Sequence, residues 1–373
     1  MIEPGCNFVI LSKDEYIKYN IHVALLSCRH CNKGIMDTSD KILVTGSAGF
    51  MGSHIVDALI KAGYTAVYGV DDLSGGSLKN VSAEAKKRFT QADISQRFVA
   101  EDIVFDIKPD VIFHLAANAR EGASFFQPKD IVHRNYLAYI NMLEPAIKYG
   151  LDKIILFSSM SIYGDQPYPF SEEQERKPVD VYGANKAIME HTTEMLSNVH
   201  EFRYTILRPH NVFGPRQSLR DPYRNVIGIF MNRIMRGEPL YIYGDGEQMR
   251  AFSYIEDSLP CYVRCLGNES DGEIINIGGK KPHSVNILRR QVCNAMDADP
   301  DEYPTQYLPE RPHEVKMAWC TSAKSEKMLG YDEKVGMAEG INRMAEWAKQ
   351  KGPQKWSEEK LTLWNEKAPG IWK

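Results

Sequence analysis

The stretch Lys41–Gly63, KILVTGSAGFMGSHIVDALIKAG, decides the fold of this 373-residue chain. Its first part is a short apolar run typical of a buried strand, and its last part has the apolar spacing of a helix. Three glycines, Gly46, Gly49 and Gly52, separate the two parts. A strand that passes through such a loop into a helix begins a strand–helix–strand unit, which predicts a parallel sheet.

The alternation of strand and helix patterns continues after this stretch. Further apolar runs typical of strands are AVYGVDD, DVIFHLAA, KIILFSS and RYTILRP, and helical patterns separate them. This order predicts an α/β fold of the Rossmann type, a doubly wound parallel sheet with helices on both faces. The ligands of such folds lie at the carboxyl ends of the strands.

Shifts in composition divide the chain into three predicted regions. Residues 1–39 form an N-terminal extension, residues 40–208 a dinucleotide-binding domain, and residues 209–373 a smaller mixed α/β lobe for the substrate, intertwined with the first domain. Cys28 and Cys31 in the extension have a spacing that can supply two zinc ligands. No second well-spaced pair accompanies them, so we expect buried thiols there and no metal.

Charge and hydropathy argue against several kinds of partner. The net charge of -4 and the isoelectric point near 6.2 leave no basic field for nucleic acid. The sequence has neither a signal-peptide layout nor an apolar run of about eighteen residues, which predicts no membrane partner and a cytoplasmic location. The cysteine count, 7, is odd and spread over a long chain, which favours reduced thiols.

The glycine loop predicts a dinucleotide site. Its spacing allows a sharp turn, close approach of a pyrophosphate, and tight packing of a helix whose N-terminal N–H groups face the anion. Asp71 follows at the end of the second predicted strand, about twenty residues on, where a carboxylate accepts hydrogen bonds from a ribose 2′-hydroxyl. A carboxylate repels a 2′-phosphate, so we expect NAD rather than NADP.

Tyr182 and Lys186 stand one helical turn apart in the pattern YGANKAIMEHTTEMLSNV, so their side chains share one face of the predicted helix. A free tyrosine has a pKa of about 10, too high for a base at neutral pH. A neighbouring ammonium favours the phenolate. We therefore predict that Tyr182 is the catalytic base and that Lys186 supports it.

With these motifs and HLAA at His114–Ala117, the chain resembles the extended short-chain dehydrogenase/reductase family of nucleotide-sugar epimerases and dehydratases. The likeness runs from Lys41 to about Tyr331 and is greatest to 4-epimerases of the UDP-glucose/UDP-galactose type. It implies NAD-dependent epimerisation of a nucleotide-diphosphate sugar, with UDP favoured, at C4 through a transient keto-sugar. It also implies a homodimer formed through helices near Ile131–Tyr149 and Val181–Leu196.

The resemblance implies roles for particular residues of this sequence. The catalytic residues are Ser159, Tyr182 and Lys186. The cofactor-binding residues are Gly46, Gly49, Phe50, Met51, Gly52, Asp71, Asp93, Ile94, Leu115, Ala116, Ala117, Asn135, Ser158, Tyr182 and Lys186. The substrate-binding residues are Ser124, Ser161, Asn211, Val226, Arg250 and Arg311, with the two arginines on the diphosphate.

Other functions stay open at this point. Dehydratase relatives carry an acidic pair where this chain has Met160 and Ser161, and neither side chain is an acid at neutral pH. An NAD-dependent sugar-nucleotide dehydrogenase or reductase, and a non-catalytic dinucleotide-binding module, remain alternatives. The run Arg216, Arg220, Arg224 favours a solvated loop, but one of these residues meeting a sugar carboxylate would indicate a UDP-glucuronate 4-epimerase.

Overall fold

The computed structural model describes residues 36–311, 314–358, 361–363 and 365–369. Of the predicted N-terminal extension it therefore describes only residues 36–39. The expectation about Cys28 and Cys31 lies outside the described residues.

The strands of the described chain follow its alternating pattern. Their order along the sequence is β1 (Ile42–Thr45), β2 (Val67–Asp71), β3 (Phe89–Gln91), β4 (Val111–His114), β5 (Lys153–Phe157), β6 (Arg203–Pro209), β7 (Val212–Phe213), β8 (Leu240–Tyr243), β9 (Met249–Ala251), β10 (Ser253–Tyr254), β11 (Glu273–Ile277), β12 (Pro282–Ser284), β13 (Thr305–Leu308) and β14 (Met317–Ala318).

Helices connect these strands. They are α1 (Phe50–Lys61), α2 (Ala83–Lys86), α3 (Arg97–Ile107), α4 (Pro128–Ile131), α5 (Ala138–Lys148), α6 (Val181–His200), α7 (Val226–Met235), α8 (Ile255–Arg264), α9 (Val285–Ala295), α10 (Ala323–Leu329) and α11 (Met337–Lys351). A π-helical turn, Val132–Leu137, joins α4 to α5, and short 3-10 turns cover Leu78–Asn80, Ser124–Phe126 and Met160–Ile162.

Seven of the described strands form the central sheet, in the order β11-β6-β5-β4-β1-β2-β3, and each neighbouring pair is parallel. Every residue of β1, β4 and β5 is buried, because helices cover both faces of the sheet. The strand order reverses at β1, between β4 and β2. A crevice for a ligand forms at such a reversal, outside the carboxyl ends of the strands. The predicted Rossmann-type fold is confirmed.

The chain after β6 forms a second, smaller layer. Part of this segment also joins the central sheet. Its small sheets pair β7 with β10, β8 with β13, and β9 with both β12 and β14. Strand β11, however, adds to the central sheet beside β6, and α8 packs against α1. The domain boundary near residue 208 stays a prediction. No described helix combines the length and apolar character needed to cross a bilayer.

Candidate active site

A continuous cavity of about 780 Å³ runs from the glycine loop past the carboxyl ends of the strands to the second layer. It brings together the glycine loop, the Tyr182 and Lys186 pair, and the two arginines Arg250 and Arg311. Every predicted site residue lines it except Ser124 and Asn135. The sequence patterns that predicted separate roles therefore meet in one space.

The glycine loop between β1 and α1 packs closely against its neighbours because Gly46 and Gly52 carry no side chain. Gly46 has φ +71°, and a Cβ there would lie 3.0 Å from the backbone nitrogen of Ala116. A Cβ on Gly52 would lie 2.1 Å from the carbonyl oxygen of Gly46, which holds the first turn of α1 against the loop. This backbone surface faces the cavity at a helix N-terminus, so the residues present fit a dinucleotide pyrophosphate.

Asp71 lies at the end of β2 and beneath the same loop. Its two carboxylate oxygens accept hydrogen bonds from the backbone N–H groups of Ala48 (3.0 Å) and Leu73 (2.7 Å). A carboxylate has about four acceptor positions, so Asp71 can still accept a ribose hydroxyl. The adjacent Asp72 is engaged elsewhere, in an ion pair of 3.0 Å with Arg134.

The two predicted residues that do not line the cavity lie behind its wall. Asn135 accepts a hydrogen bond from the backbone N–H of Asn118 (2.7 Å) and donates to the carbonyl of Asn118 (3.0 Å). It therefore braces the loop that follows β4. Ser124 is fully buried in the 3-10 turn Ser124–Phe126. The structure does not bring its hydroxyl to the cavity, and its predicted role stays a prediction.

Tyr182 and Lys186 lie in the first turns of α6. Asp180 caps this helix by accepting a hydrogen bond of 2.7 Å from the N–H of Gly183. The Lys186 ammonium donates to the carbonyl of Phe157 (2.6 Å), at the end of β5, and lies 5.9 Å from the centroid of the Tyr182 ring. The pair therefore joins the helix to the carboxyl end of the sheet.

The protein around this pair disfavours charge on both side chains. Burial, followed by the positive charge of Arg224, lowers the pKa of Lys186 to about 7. Burial, followed by the Glu121 carboxylate, raises the pKa of Tyr182, whereas Arg224 and the nearby Ser159 hydroxyl act in the opposite direction. Burial therefore favours the neutral phenol of Tyr182, and a further positive charge in the site would favour the phenolate.

Hydrogen bonds connect Ser159 and Ser161 to an acidic side chain, Glu121. The Oγ atoms of Ser159 and Ser161 are 3.0 Å apart, and the Ser161 hydroxyl donates to Oε1 of Glu121 at 2.6 Å. The sequence analysis did not identify Glu121. The sequence signal for it is an acidic residue in the segment NAREGAS, Asn118–Ser124, directly after HLAA.

Arg250 and Arg311 meet at a shared carboxylate, that of Glu314, which the sequence analysis also missed. The guanidinium of Arg250 lies 3.1 Å from one Glu314 oxygen, and Nε of Arg311 donates to the other at 2.6 Å. Burial would raise the pKa of Glu314, but the two arginines outweigh it and hold the pKa below its ordinary value. Glu314 therefore holds both cations at the same wall of the cavity.

The three arginines of the predicted run, Arg216, Arg220 and Arg224, have different surroundings. Arg216 forms an ion pair of 2.7 Å with Asp57 on α1. The carbonyl of Arg220 accepts from the N–H of Ser357, near the C-terminus, and both Arg220 and Arg224 line the cavity. Arg224 is the member of the run that acts electrostatically on Tyr182 and Lys186.

The described residues also bear on metals and thiols. Within the described ranges, no cluster of three or more histidine, cysteine or acidic side chains has the arrangement to hold a metal ion. The four cysteines in that part of the chain are free and buried: Cys261, Cys265, Cys293 and Cys320.

The parallel sheet, the glycine cradle and the buried Tyr182 and Lys186 pair define a Rossmann-type enzyme that works with a dinucleotide. The model of the NAD dependent epimerase/dehydratase family matches residues 42–278 of this chain. The chain therefore belongs to that family. The predicted family and the predicted cofactor, NAD, are both confirmed.

This chain matches several known proteins over nearly their whole length. It is similar to the UDP-glucose 4-epimerase of Mycolicibacterium smegmatis, with 33% identity over 318 residues, 83% of this chain and 99% of that protein. It is similar to the structure of UDP-glucose 4-epimerase with UDP-glucose from Thermotoga maritima, at 33% identity and a TM-score of 0.78, covering 83% of this chain and 99% of that one. The UDP-glucose 4-epimerase of Thermus thermophilus, in complex with NAD, gives 29% identity, a TM-score of 0.76, and coverage of 82% and 98%.

Proposed function

We propose that this protein inverts C4 of a UDP-hexose, with NAD kept bound throughout the cycle. The observation that carries this proposal is the shared cavity: the glycine cradle, the Tyr182 and Lys186 pair, and the Arg250 and Arg311 pair all line it. Relatives of this length act on the same class of substrate by their names. Both the shared cavity and the relatives support the nucleotide-sugar epimerase that the sequence predicts.

In this proposal Tyr182 takes the proton of the C4 hydroxyl, and Ser159 holds the oxygen of that hydroxyl. NAD, when bound, accepts and returns a hydride and brings a positive nicotinamide ring. Burial raises the pKa of Tyr182. The positive ring lowers it again, because an adjacent cation stabilises the phenolate. Lys186 is fixed by the carbonyl of Phe157, so its ammonium stays on the same side of the phenol ring.

The second layer holds the nucleotide diphosphate. Arg250 and Arg311 present guanidinium groups, which suit the planar, two-point contacts of phosphate oxygens. Because Glu314 bridges them, they are already positioned before a substrate arrives. Asn211 and Val226 line the same part of the cavity, and we propose contacts from them to the phosphate or sugar and to the base.

A UDP-uronate is the second candidate substrate, and Arg224 favours it. Its guanidinium faces the cavity close to Tyr182, where it can pair with a sugar carboxylate. Glu121 acts on the same phenol with the opposite sign, and it would repel such a substrate. We therefore place a neutral hexose first.

We also propose that the protein is a cytoplasmic homodimer. Two neighbouring elements carry exposed apolar side chains: Val132 and Leu137 before α5, and Ile188 and Met195 on α6. Within the two helix ranges that the resemblance implies for the dimer, Tyr139, Leu143 and Met189 are instead core residues of one subunit. The buried free cysteines support a reducing compartment.

Sedimentation velocity tests the dimer. The wild-type protein should sediment as a dimer, and Met195→Glu should sediment as a monomer because it places a charge in the apolar face. Ile287→Glu, on α9, is the control, since Ile287 is also an exposed apolar residue but lies on a different helix. A wild-type monomer at micromolar concentration would contradict the proposal.

A panel of nucleotide sugars tests the reaction. Purified protein is incubated with UDP-glucose, UDP-N-acetylglucosamine and UDP-glucuronate, and the configuration at C4 is followed by NMR while NADH is followed by absorbance. We expect inversion at C4 of a neutral hexose without net NADH. Net NADH formation would instead indicate the dehydrogenase.

A further inference from the structure

The chain that follows the last helix, α11, returns to the cavity. Trp356 and Ser357, a few residues after the end of α11 at Lys351, both line the cavity. The family model matches residues 42–278, so these two residues lie outside the matched region. We refer to residues 353–358 as the C-terminal wall. Membership of the family assigns no role to this wall.

Hydrogen bonds fix the C-terminal wall on both sides of Trp356. Before it, the backbone N–H of Gln354 donates to Oδ1 of Asn232 on α7 (2.8 Å), and Nδ2 of Asn232 donates back to the carbonyl of Gln354 (3.0 Å). After it, the N–H of Ser357 donates to the carbonyl of Arg220 at 2.8 Å. The backbone around Trp356 is therefore held in place, although it forms neither helix nor strand.

The indole ring of Trp356 is held as well. Its N–H donates to Oε2 of Glu238 (3.1 Å), and the other oxygen of that carboxylate pairs with Arg236 (2.6 Å). The guanidinium carbon of Arg233 lies 5.4 Å from the centroid of the Trp356 ring and 4.0 Å from that of Tyr241. Because Arg233, Tyr241 and Trp356 all line the cavity, two aromatic rings and a cation meet at one place on its surface.

Strand β8 relates this place to the proposed diphosphate site. Tyr241 and Tyr243 are two residues apart on β8, so their side chains lie on the same face of the strand. The guanidinium of Arg311, which we propose binds the diphosphate, lies 5.1 Å from the centroid of the Tyr243 ring. Two residues of a strand span about 7 Å. A diphosphate at Arg311 therefore leaves room for a nucleoside between it and Trp356.

Helix α7 supports the same placement. Val226, which we propose contacts the base, lies on α7 with Ile229, Phe230 and Arg233, and all four residues line the cavity. Their spacing of three or four residues puts them on one face of the helix. This face runs from the proposed base contact at Val226 to Arg233 beside Trp356.

We propose that Trp356 is a nucleoside-binding residue whose indole ring contacts the base of the nucleotide-diphosphate sugar. This inference rests on the proposed function, because it takes the diphosphate to lie on Arg250 and Arg311. Trp356 is only half-buried, so part of its ring is accessible to a base. Aromatic rings stack on any base. The bond to Glu238 positions the ring before a nucleotide arrives, so little side-chain freedom is lost on binding.

Calorimetric titration of the NAD-loaded protein with UDP and with inorganic pyrophosphate tests this role. Trp356→Ala should weaken UDP binding about tenfold, the equivalent of one lost base stack. It should leave pyrophosphate binding unchanged, because pyrophosphate has no base. Trp356→Phe keeps an aromatic ring and should recover most of the affinity for UDP. Unchanged UDP binding in Trp356→Ala would overturn the proposal, and so would an equal loss of pyrophosphate binding, since Trp356 would then support the fold.

Tryptophan fluorescence gives a second measurement that does not depend on the stability of the alanine variant. UDP should quench the emission of the wild-type protein, and Trp356→Phe should remove that quench while UDP still binds. Trp347→Phe is the matched control and should keep the quench, because the Trp347 ring on α11 packs against the core of the second layer and does not line the cavity. A quench of wild-type size in Trp356→Phe would contradict the contact with the base.

Both measurements use UDP and need no turnover, so they separate this inference from the proposed reaction. If UDP binding depends on Trp356 but no nucleotide sugar is inverted at C4, the inference stands and the epimerase is wrong. If C4 is inverted but UDP binds equally well without the Trp356 ring, the epimerase stands and the inference is wrong.

Discussion

The cofactor side and the sugar side of the cavity are built in different ways. On the cofactor side the surface is backbone: Gly46 and Gly52 let β1, the loop and α1 approach one another closely. On the sugar side the surface is charged side chains held by other side chains, as Glu314 holds two arginines and Ser161 holds Glu121. A backbone surface recognises what every dinucleotide shares, whereas a side-chain surface can be varied residue by residue.

This difference has a consequence for the kind of damage that a mutation does. A change on the cofactor side distorts the packing of the sheet and its first helix, so stability and NAD content fall together. A change on the sugar side leaves the fold intact and alters rate, affinity or pH dependence. The following variants are expected to separate these outcomes.

Tyr182→Phe should have the largest effect, because it removes the group that exchanges the proton. We expect kcat to fall about 10²–10⁴-fold, the usual contribution of a general base, while NAD remains bound. NMR at C4 measures the rate, and mass spectrometry of the intact protein measures NAD. Tyr168→Phe, on an exposed loop beside Trp319, is the control and should keep full activity. Full activity in Tyr182→Phe would show that another group is the base.

Gly52→Ala should damage the cofactor side through packing. The new methyl would meet the Gly46 carbonyl at 2.1 Å, so the loop or the helix must shift. We expect a loss of about 1–3 kcal/mol in the free energy of unfolding, together with reduced NAD content. Gly75→Ala is the matched control for stability, since a Cβ there meets open space. If both variants unfold at the same denaturant concentration, the close contact is not needed.

Glu314→Gln should act on the sugar side alone. Without its carboxylate, Arg250 and Arg311 repel each other and lose their fixed positions. We expect KM for the UDP-sugar to rise about tenfold, the equivalent of one charged hydrogen bond, with kcat and NAD content close to wild type. Steady-state kinetics measures both constants. A fall in kcat with unchanged KM would contradict a role in binding.

Asp180→Asn should have the smallest effect, confined to stability and to a range of pH. Burial raises the pKa of Asp180 from 3.8 to about 7 in the folded protein. Its contribution to stability is therefore full below 3.8 and is lost as the pH rises to about 7. Asparagine also caps a helix but stays neutral, so the variant should gain on the order of 1–3 kcal/mol at the upper end of this range.

Calorimetry at a series of pH values checks this gain. At the acid end the variant and the wild type should melt at nearly the same temperature, because both side chains are then neutral. A constant difference across the whole range would show that the pKa of Asp180 is not raised by folding.

The cofactor side could be predicted from the sequence because its signals are local. Gly46, Gly49 and Gly52 stand between one strand and one helix, and Asp71 follows at the end of the next strand. The Tyr182 and Lys186 pair is equally local, within one helix. Such spacings follow directly from the geometry of one loop or one helix. The fold class follows from the alternation of strand and helix patterns along the chain.

The sugar side could not be predicted in the same way because its contacts join distant parts of the chain. Glu121 meets Ser161 across 40 residues, and Arg250 meets Glu314 across 64. No periodicity links these positions. Asn135 was predicted to bind the cofactor, but only the coordinates show that it holds the backbone of Asn118 and does not line the cavity. Charges on loops become a site only when the fold brings those loops together.

The central claim is that one cavity supports inversion at C4 with NAD held in place. The most direct test is to incubate the protein as purified, with its own NAD, with UDP-galactose, and to follow C4 by NMR while NADH absorbance is recorded. The account predicts that UDP-glucose appears until the two sugars reach equilibrium, with no net NADH. An unchanged sugar, or NADH that accumulates in proportion to sugar consumed, would contradict it.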